Sequence, residues 1–224
     1  LSMLAGLVLG KLVLLPMLSA GLPGPAEEVA GAVFGQQVRI VGAGAMAIAA
    51  LWALIRITGS ILKGLAGIAA TSRARKAGAE ISLTERDLPG NWVLGLSAAT
   101  FLPILYLVWQ FVQGGPLAAS IPAVLTLSLV FIIVVGIFTA VVTGYMAGLV
   151  GTSNSPVSGV GILSILIASV LVGAMFGGDV AADLRAPLIA FALFLVSFVF
   201  GIAIVANDNL QDLKTGQLVG STPW

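Results

Sequence analysis

From Ile121 to about Val150 the chain passes through TLSLVFIIVVGIF and its flanks without one Asp, Glu, Lys or Arg. A bilayer's hydrocarbon core is spanned by about 20 consecutive apolar residues as helix. Only helices and closed barrels satisfy every backbone polar group without water. Five further stretches pass the same length test. Residues 1–22 are interrupted by Lys11 and Pro16, 38–57 are rich in Gly and Ala, and 92–112 carry Pro103. Residues 160–176 form a shorter stretch, and 187–205 open on Pro187, read as a first-turn proline whose missing N–H costs nothing. The expected fold is an all-α integral membrane protein of about six transmembrane helices, one polytopic domain over residues 1–224. A broken-helix or re-entrant segment is expected near 151–159.

Composition narrows the chemistry. Charged residues are 8% of the chain, hydrophobic ones 59%, and mean hydropathy is +1.14, whereas a soluble domain carries about 25% charged residues to face water. The 28 glycines suit helices that approach closely in a membrane. A net charge of +1 lacks the basic clusters a nucleic-acid partner requires. Cysteine and histidine are absent. That excludes disulfides, thiolate zinc, a catalytic cysteine, a Ser-His pair and imidazole ligation of haem. No cofactor or metal site is expected, and any protonation switch must use Asp, Glu, Lys or Tyr. Leu1 and the closing Thr-Pro-Trp read as internal points of a longer protein, and no signal peptide is evident.

Charge is confined to the connections. Residues 21–37 hold Glu27, Glu28 and a Pro-Gly-Pro turn, and 177–186 hold Asp179 and Asp183 against Arg185. Residues 63–89 hold Lys63, Arg73, Arg75, Lys76 and Arg86 against Glu80, Glu85 and Asp87. Basic residues collect on the cytoplasmic side, so 63–89 is expected as a cytoplasmic basic loop. Alternation then puts 21–37 and 177–186 outside, with 151–159 and the C-terminal stretch inside. Ile57, Ile61, Leu65 and Ile68 recur at helical spacing. The start of 63–89 is therefore either an interfacial helix on anionic lipid or a solvated loop.

Two polar interruptions could carry chemistry. In GYMAGLVGTSNSPVSGVG a long apolar helix runs into Gly, Ser, Thr, Asn and Pro and then into another apolar helix. Transporters bind substrates at such breaks, where helix ends present free N–H and C=O groups. The candidate substrate-binding residues are Ser153, Asn154, Ser155, Ser158 and Gly159. Tyr145, beside the break, is read either as a pocket residue or as an interfacial aromatic. The alternative for the whole segment is a tight turn between two helices. In NDNLQDLKTGQLVGST, Asp208 and Asp212 stand i, i+4 and share a helix face, with Lys214 following. Buried carboxylates in a bundle serve as proton relays, so Asp208, Asp212 and Lys214 are the candidates for proton coupling. The alternative is a polar linker after the last span.

The same segments resemble a known family. GLVGTSNSPVSGVGI is similar to the Gly-Ser-Ser-Asn-Asn-Pro-Val-Ser-Gly stretch of the oligopeptide transporter (OPT) superfamily, bacterial members in particular. NLQDLKTGQLVGSTPW resembles that family's Leu-Gln-Asp-Leu-Lys-Thr-Gly-Tyr-Leu-Val-Gly-Ala-Thr-Pro segment, and VGAGAMAIAALWALIRITGSILKG its Gly-Ala-rich helix. Order and spacing agree over roughly residues 30–224. The chain departs at Ser155, where a second Asn is expected, at Gly161 for Thr and at Gln217 for Tyr. The resemblance implies a truncated piece of a larger transporter in a bacterial inner membrane. It implies secondary active, usually proton-coupled, uptake of small oligopeptides. The alternative cargo is an amino-acid-derived metal chelate, and the alternative class is a channel or structural bundle. The partners implied are small peptides or peptide-like chelates, protons, the lipid bilayer and the remainder of the full-length transporter. No Walker A sequence is present, and the residues that intramembrane proteases or prenyl-transfer enzymes need are missing, so no enzyme is expected.

Overall fold

A computed structural model describes residues 2–76, 82–85, 88–177 and 181–223. Every regular element among them is helical. Five helical stretches are long and apolar enough to cross a membrane: Ala26–Trp52, Gly90–Gln113, Ala118–Val150, Val157–Phe176 and Ala182–Val219. The first stretch read from the sequence makes only the shorter apolar helix Met3–Ser19. Gly21 at φ +80° and Gly24 at φ +130°, with Pro23 and Pro25, turn the chain after this helix. This helix consists of α1 (Ser2–Leu7), a π-helical Val8–Leu14 and α2 (Leu15–Ser19). Lys11 places its ammonium 5.8 Å from the centre of the Phe34 ring, a cation–π contact.

After α3 (Ala26–Val33), whose first turn carries Glu27 and Glu28, a π-helical stretch Phe34–Val38 leads into α4 (Arg39–Lys76). The helix therefore continues into the basic segment expected at 63–89. Of the charged residues in that segment, Glu80, Arg86 and Asp87 lie outside the described residues, as does Asp179 of the acidic connection.

The packed body is α5 (Gly90–Gln113), α6 (Ile121–Val150), α7 (Val157–Phe176) and α8 (Ala182–Val219). Pro187 corrects the sequence reading. The helix begins at Ala182, so Pro187 sits inside it and removes a backbone hydrogen bond there. The added turn holds Asp183 near the positive end of the helix dipole.

Contacts fix the helix directions. Thr143 of α6 bonds Ala203 of α8, and Thr152, just past α6, bonds Gln211. Numbers rise together along the pair, so α6 and α8 run parallel. Phe111 stacks on Phe194 with ring centres 4.4 Å apart, while Thr100 shares a groove with Val205 and Asn209. Along this pair one number rises as the other falls, so α5 runs antiparallel to α8. Phe131, Ile132, Phe191, Leu195 and Val199 are all at most 2% exposed and fill the centre.

At 38 residues α8 is about 57 Å long, well beyond a hydrocarbon core of about 30 Å. The apolar part ends near Val205, and from Asn207 onward the helix is mixed in polarity. The polar segments of interest begin there.

Candidate functional site

The chain leaves α6 at Gly151, with φ +85° and ψ 161°, a combination essentially confined to glycine. Thr152–Asn154 make one 3-10 turn, Ser155 is extended, and α7 starts at Val157. The break expected from the sequence thus lies between two helices, each long enough to span a bilayer. Its ends are closed by local bonds. The Gly151 amide donates to the Ala147 carbonyl at 2.9 Å, and Asn154 Nδ2 to the Val150 carbonyl at 3.4 Å.

The turn is anchored sideways on α6 and α8. Ser155 Oγ donates to the Thr143 carbonyl at 3.2 Å, and the Thr152 amide to Gln211 Oε1 at 2.8 Å. The second contact joins the two polar interruptions, 59 positions apart in the chain. Deeper in the seam the Thr143 hydroxyl lies 2.8 Å from the Thr139 carbonyl and 3.0 Å from the Ala203 carbonyl. Its single proton is shared between a bond within α6 and a bond across to α8.

The predicted residues do not all share one environment. Ser153, Asn154 and Ser158 are exposed, and Ser155 and Tyr145 are half-buried. Gly159 faces α4. A Cβ built there would come within 2.7 Å of Ala50 Cβ and 3.3 Å of the Met46 carbonyl oxygen, so its missing side chain lets α7 approach α4. Asp208, Asp212 and Lys214 are exposed, and Lys214 Nζ donates to Gln217 Oε1 at 2.8 Å. An open cavity of about 510 Å³ lies along this end of α8, lined by Gly148, Asp212, Lys214, Gln217 and Ser221. Thr84 also lines it, which brings the segment between α4 and α5 to the same end of the bundle as the α8 terminus.

Sequence reading missed Gln211, Thr143 and Asn207. Asn207 is 5% exposed, and its Oδ1 has no hydrogen-bond partner among the described residues. The signal was available: Ala192, Val196, Val199, Ala203 and Asn207 follow at steps of four, three, four and four, the period of one helix face.

The model of the OPT oligopeptide transporter protein family matches residues 1–224. The chain belongs to this family. A curated member-like protein of Haemophilus influenzae, named "Putative oligopeptide transporter", is 36% identical over 198 residues. The alignment covers 86% of this chain and 31% of that protein, so the chain spans about a third of the length of the curated relative it matches. No solved structure matches it. Two of the three segments that suggested the OPT family in the sequence meet at the Thr152–Gln211 contact.

Proposed function

We propose that this chain supplies part of the transport path of a proton-coupled secondary transporter of small oligopeptides. The observation that carries the reading is the joining of the two polar segments by Thr152 and Gln211 at one end of the bundle. A cavity with a carboxylate, Asp212, and an ammonium, Lys214, in its wall lies beside them. A peptide is a zwitterion with amide donors and acceptors between its charges, and such a wall is complementary to it. Ser153, Asn154, Ser155 and Ser158 offer neutral hydrogen-bonding groups at the turn, with Gly159 and Tyr145 shaping its flanks. Asp208 and Asp212 are the proposed proton carriers, with Lys214 as their cationic neighbour.

The membrane proposed is a bacterial inner membrane, with residues 63–89 and the α8 terminus on the cytoplasmic side, where basic residues collect. The shared placement of Thr84 and Asp212 supports that pairing of ends. The test is uptake of labelled tripeptide and of a ferric chelate by the full-length parent in liposomes, with and without an inward proton gradient. Tripeptide uptake that collapses with the gradient is expected. Uptake indifferent to the gradient refutes the coupling, and chelate uptake without peptide uptake refutes the cargo.

A further inference from the structure

At the other end of α8 from the polar segments, an open groove of about 230 Å³ runs between α7 and α8. Val172 and Gly173 of α7 and Leu188, Ile189 and Ala192 of α8 form its apolar walls, and Arg185 stands at one end. The two helices run antiparallel. Gly161 packs against Phe200, while Val172 and Gly173 share the groove with Leu188 and Ile189. The last turns of α7 and the first turns of α8 therefore lie together. From Arg185 to Ala192 α8 rises about 10 Å. One leaflet supplies about 15 Å of a hydrocarbon core about 30 Å thick, and an arginine at a helix end keeps its guanidinium at the membrane surface. The groove thus starts at the surface and stays within one leaflet.

Two details set it apart from an ordinary dent in the bundle. A Cβ built on Gly173 meets nothing within 4 Å, so the missing side chain leaves the groove open. Arg185 is exposed and makes no hydrogen bond or ion pair among the described residues. Asp183, two positions earlier, projects from another side of the helix and does not line the groove. The groove between α5 and α8, by contrast, has no charged side chain in its wall.

We propose that the α7–α8 groove binds an anionic phospholipid, its headgroup phosphate on the Arg185 guanidinium and the upper part of one acyl chain along Val172, Gly173, Leu188 and Ile189. A guanidinium forks onto a phosphate through two parallel N–H bonds. The apolar walls below it offer nothing to a free phosphate. A further transmembrane helix would need a groove through the whole core, three times the length of this one. A phospholipid carries charge at the surface and a chain beneath it, the same order in which the groove presents Arg185 and its apolar walls.

The experiment uses the purified full-length parent in detergent, with Arg185→Gln and Gly173→Leu. Retention of phosphatidylglycerol and of phosphatidylcholine with the same chains is read by native mass spectrometry, and melting temperature with and without each lipid or inorganic phosphate. The wild type should hold one phosphatidylglycerol more tightly than phosphatidylcholine. Arg185→Gln should weaken that binding about fivefold, the share of one cation at a membrane surface, and leave phosphatidylcholine unchanged. Gly173→Leu, which fills the groove, should weaken both lipids, and neither variant should melt earlier without lipid. Unchanged phosphatidylglycerol retention in either variant overturns the proposal. So does inorganic phosphate that raises the melting temperature through Arg185 as much as the lipid does, since the site would then serve a free anion. A lipid-free Gly173→Leu protein that melts earlier also overturns it, because another segment of the transporter would then fill the groove.

Discussion

On the side of α8 that faces α6 and α7, Val196, Val199, Ala203 and Asn207 are buried. On the opposite side Gly201, Val205, Asp208 and Asp212 follow at steps of four, three and four and are exposed. Polarity does not decide which residue goes where. Val205 is 68% exposed while Asn207, two positions on, is 5% exposed. Helical phase, set by the apolar turns upstream, carries Asn207 inward and turns Val205 out. The inward face is a finished packing surface, closed by Thr143 and by the small residues of its neighbours. The outward face mixes apolar side chains with two carboxylates and stays exposed among the described residues, with Gly201 and Val205 bordering the groove they share with Thr100.

The comparison is most easily broken at Gly159. Its would-be Cβ meets Ala50 Cβ and the Met46 carbonyl oxygen, atoms that no side-chain rotation can move. Gly159→Leu should force α7 off α4 and destabilise the purified protein by at least the roughly 1–3 kcal/mol of an overpacked core. Gly201→Leu, on the open face where an added Cβ meets nothing within 4 Å, should cost far less. Unfolding in detergent with the two variants side by side measures the contrast. Equal losses would mean that the α7–α4 contact is no tighter than the open face of α8.

Gly151→Ala should follow, at about 1–3 kcal/mol, because φ +85° with ψ 161° is a conformation an alanine adopts only under strain. The loss should appear as earlier melting. Uptake at low temperature should fall as well, since Thr152, the next residue, holds the turn to Gln211. Thr143→Val keeps the shape of the seam and removes one bond to α8. Interhelical hydrogen bonds in membranes average about 0.6 kcal/mol, so a small fall in melting temperature is expected. A loss above 2 kcal/mol would show that Thr143 does more than bridge two helices.

Much of this architecture can be read in the sequence. Lengths of apolar run give six candidate crossings, five of which are helices long and apolar enough to span, because a bilayer's thickness translates directly into residue number. The break at 151–156 is visible as a run of Gly, Thr, Ser, Asn and Pro between two apolar stretches, whereas Pro103 and Pro187, alone in apolar surroundings, sit inside helices. Other features are not local. The turn after Ser19 rests on the positive φ of Gly21 and Gly24, and Pro187 reads as a helix start until the preceding turn is seen. Gly159 looks like part of a polar loop, yet its role depends on Ala50, more than a hundred positions away. The pairing of Thr152 with Gln211 likewise follows from α6 and α8 running parallel, which no pattern within either segment states.

Asp208 and Asp212 give the smallest expected effect on folding. Both lie on the exposed face, where isosteric changes away from caps and packed groups leave stability nearly untouched. Asp208→Asn and Asp212→Asn should therefore melt with the wild type. The proposed coupling role predicts the opposite for function: peptide uptake driven by a proton gradient should fall while exchange of peptide at equal pH persists. That pattern places the carboxylates in proton movement and not in the scaffold. If gradient-driven uptake survives in both variants, the charged face of α8 serves solubility at the membrane surface, and the two faces of the helix differ in packing alone.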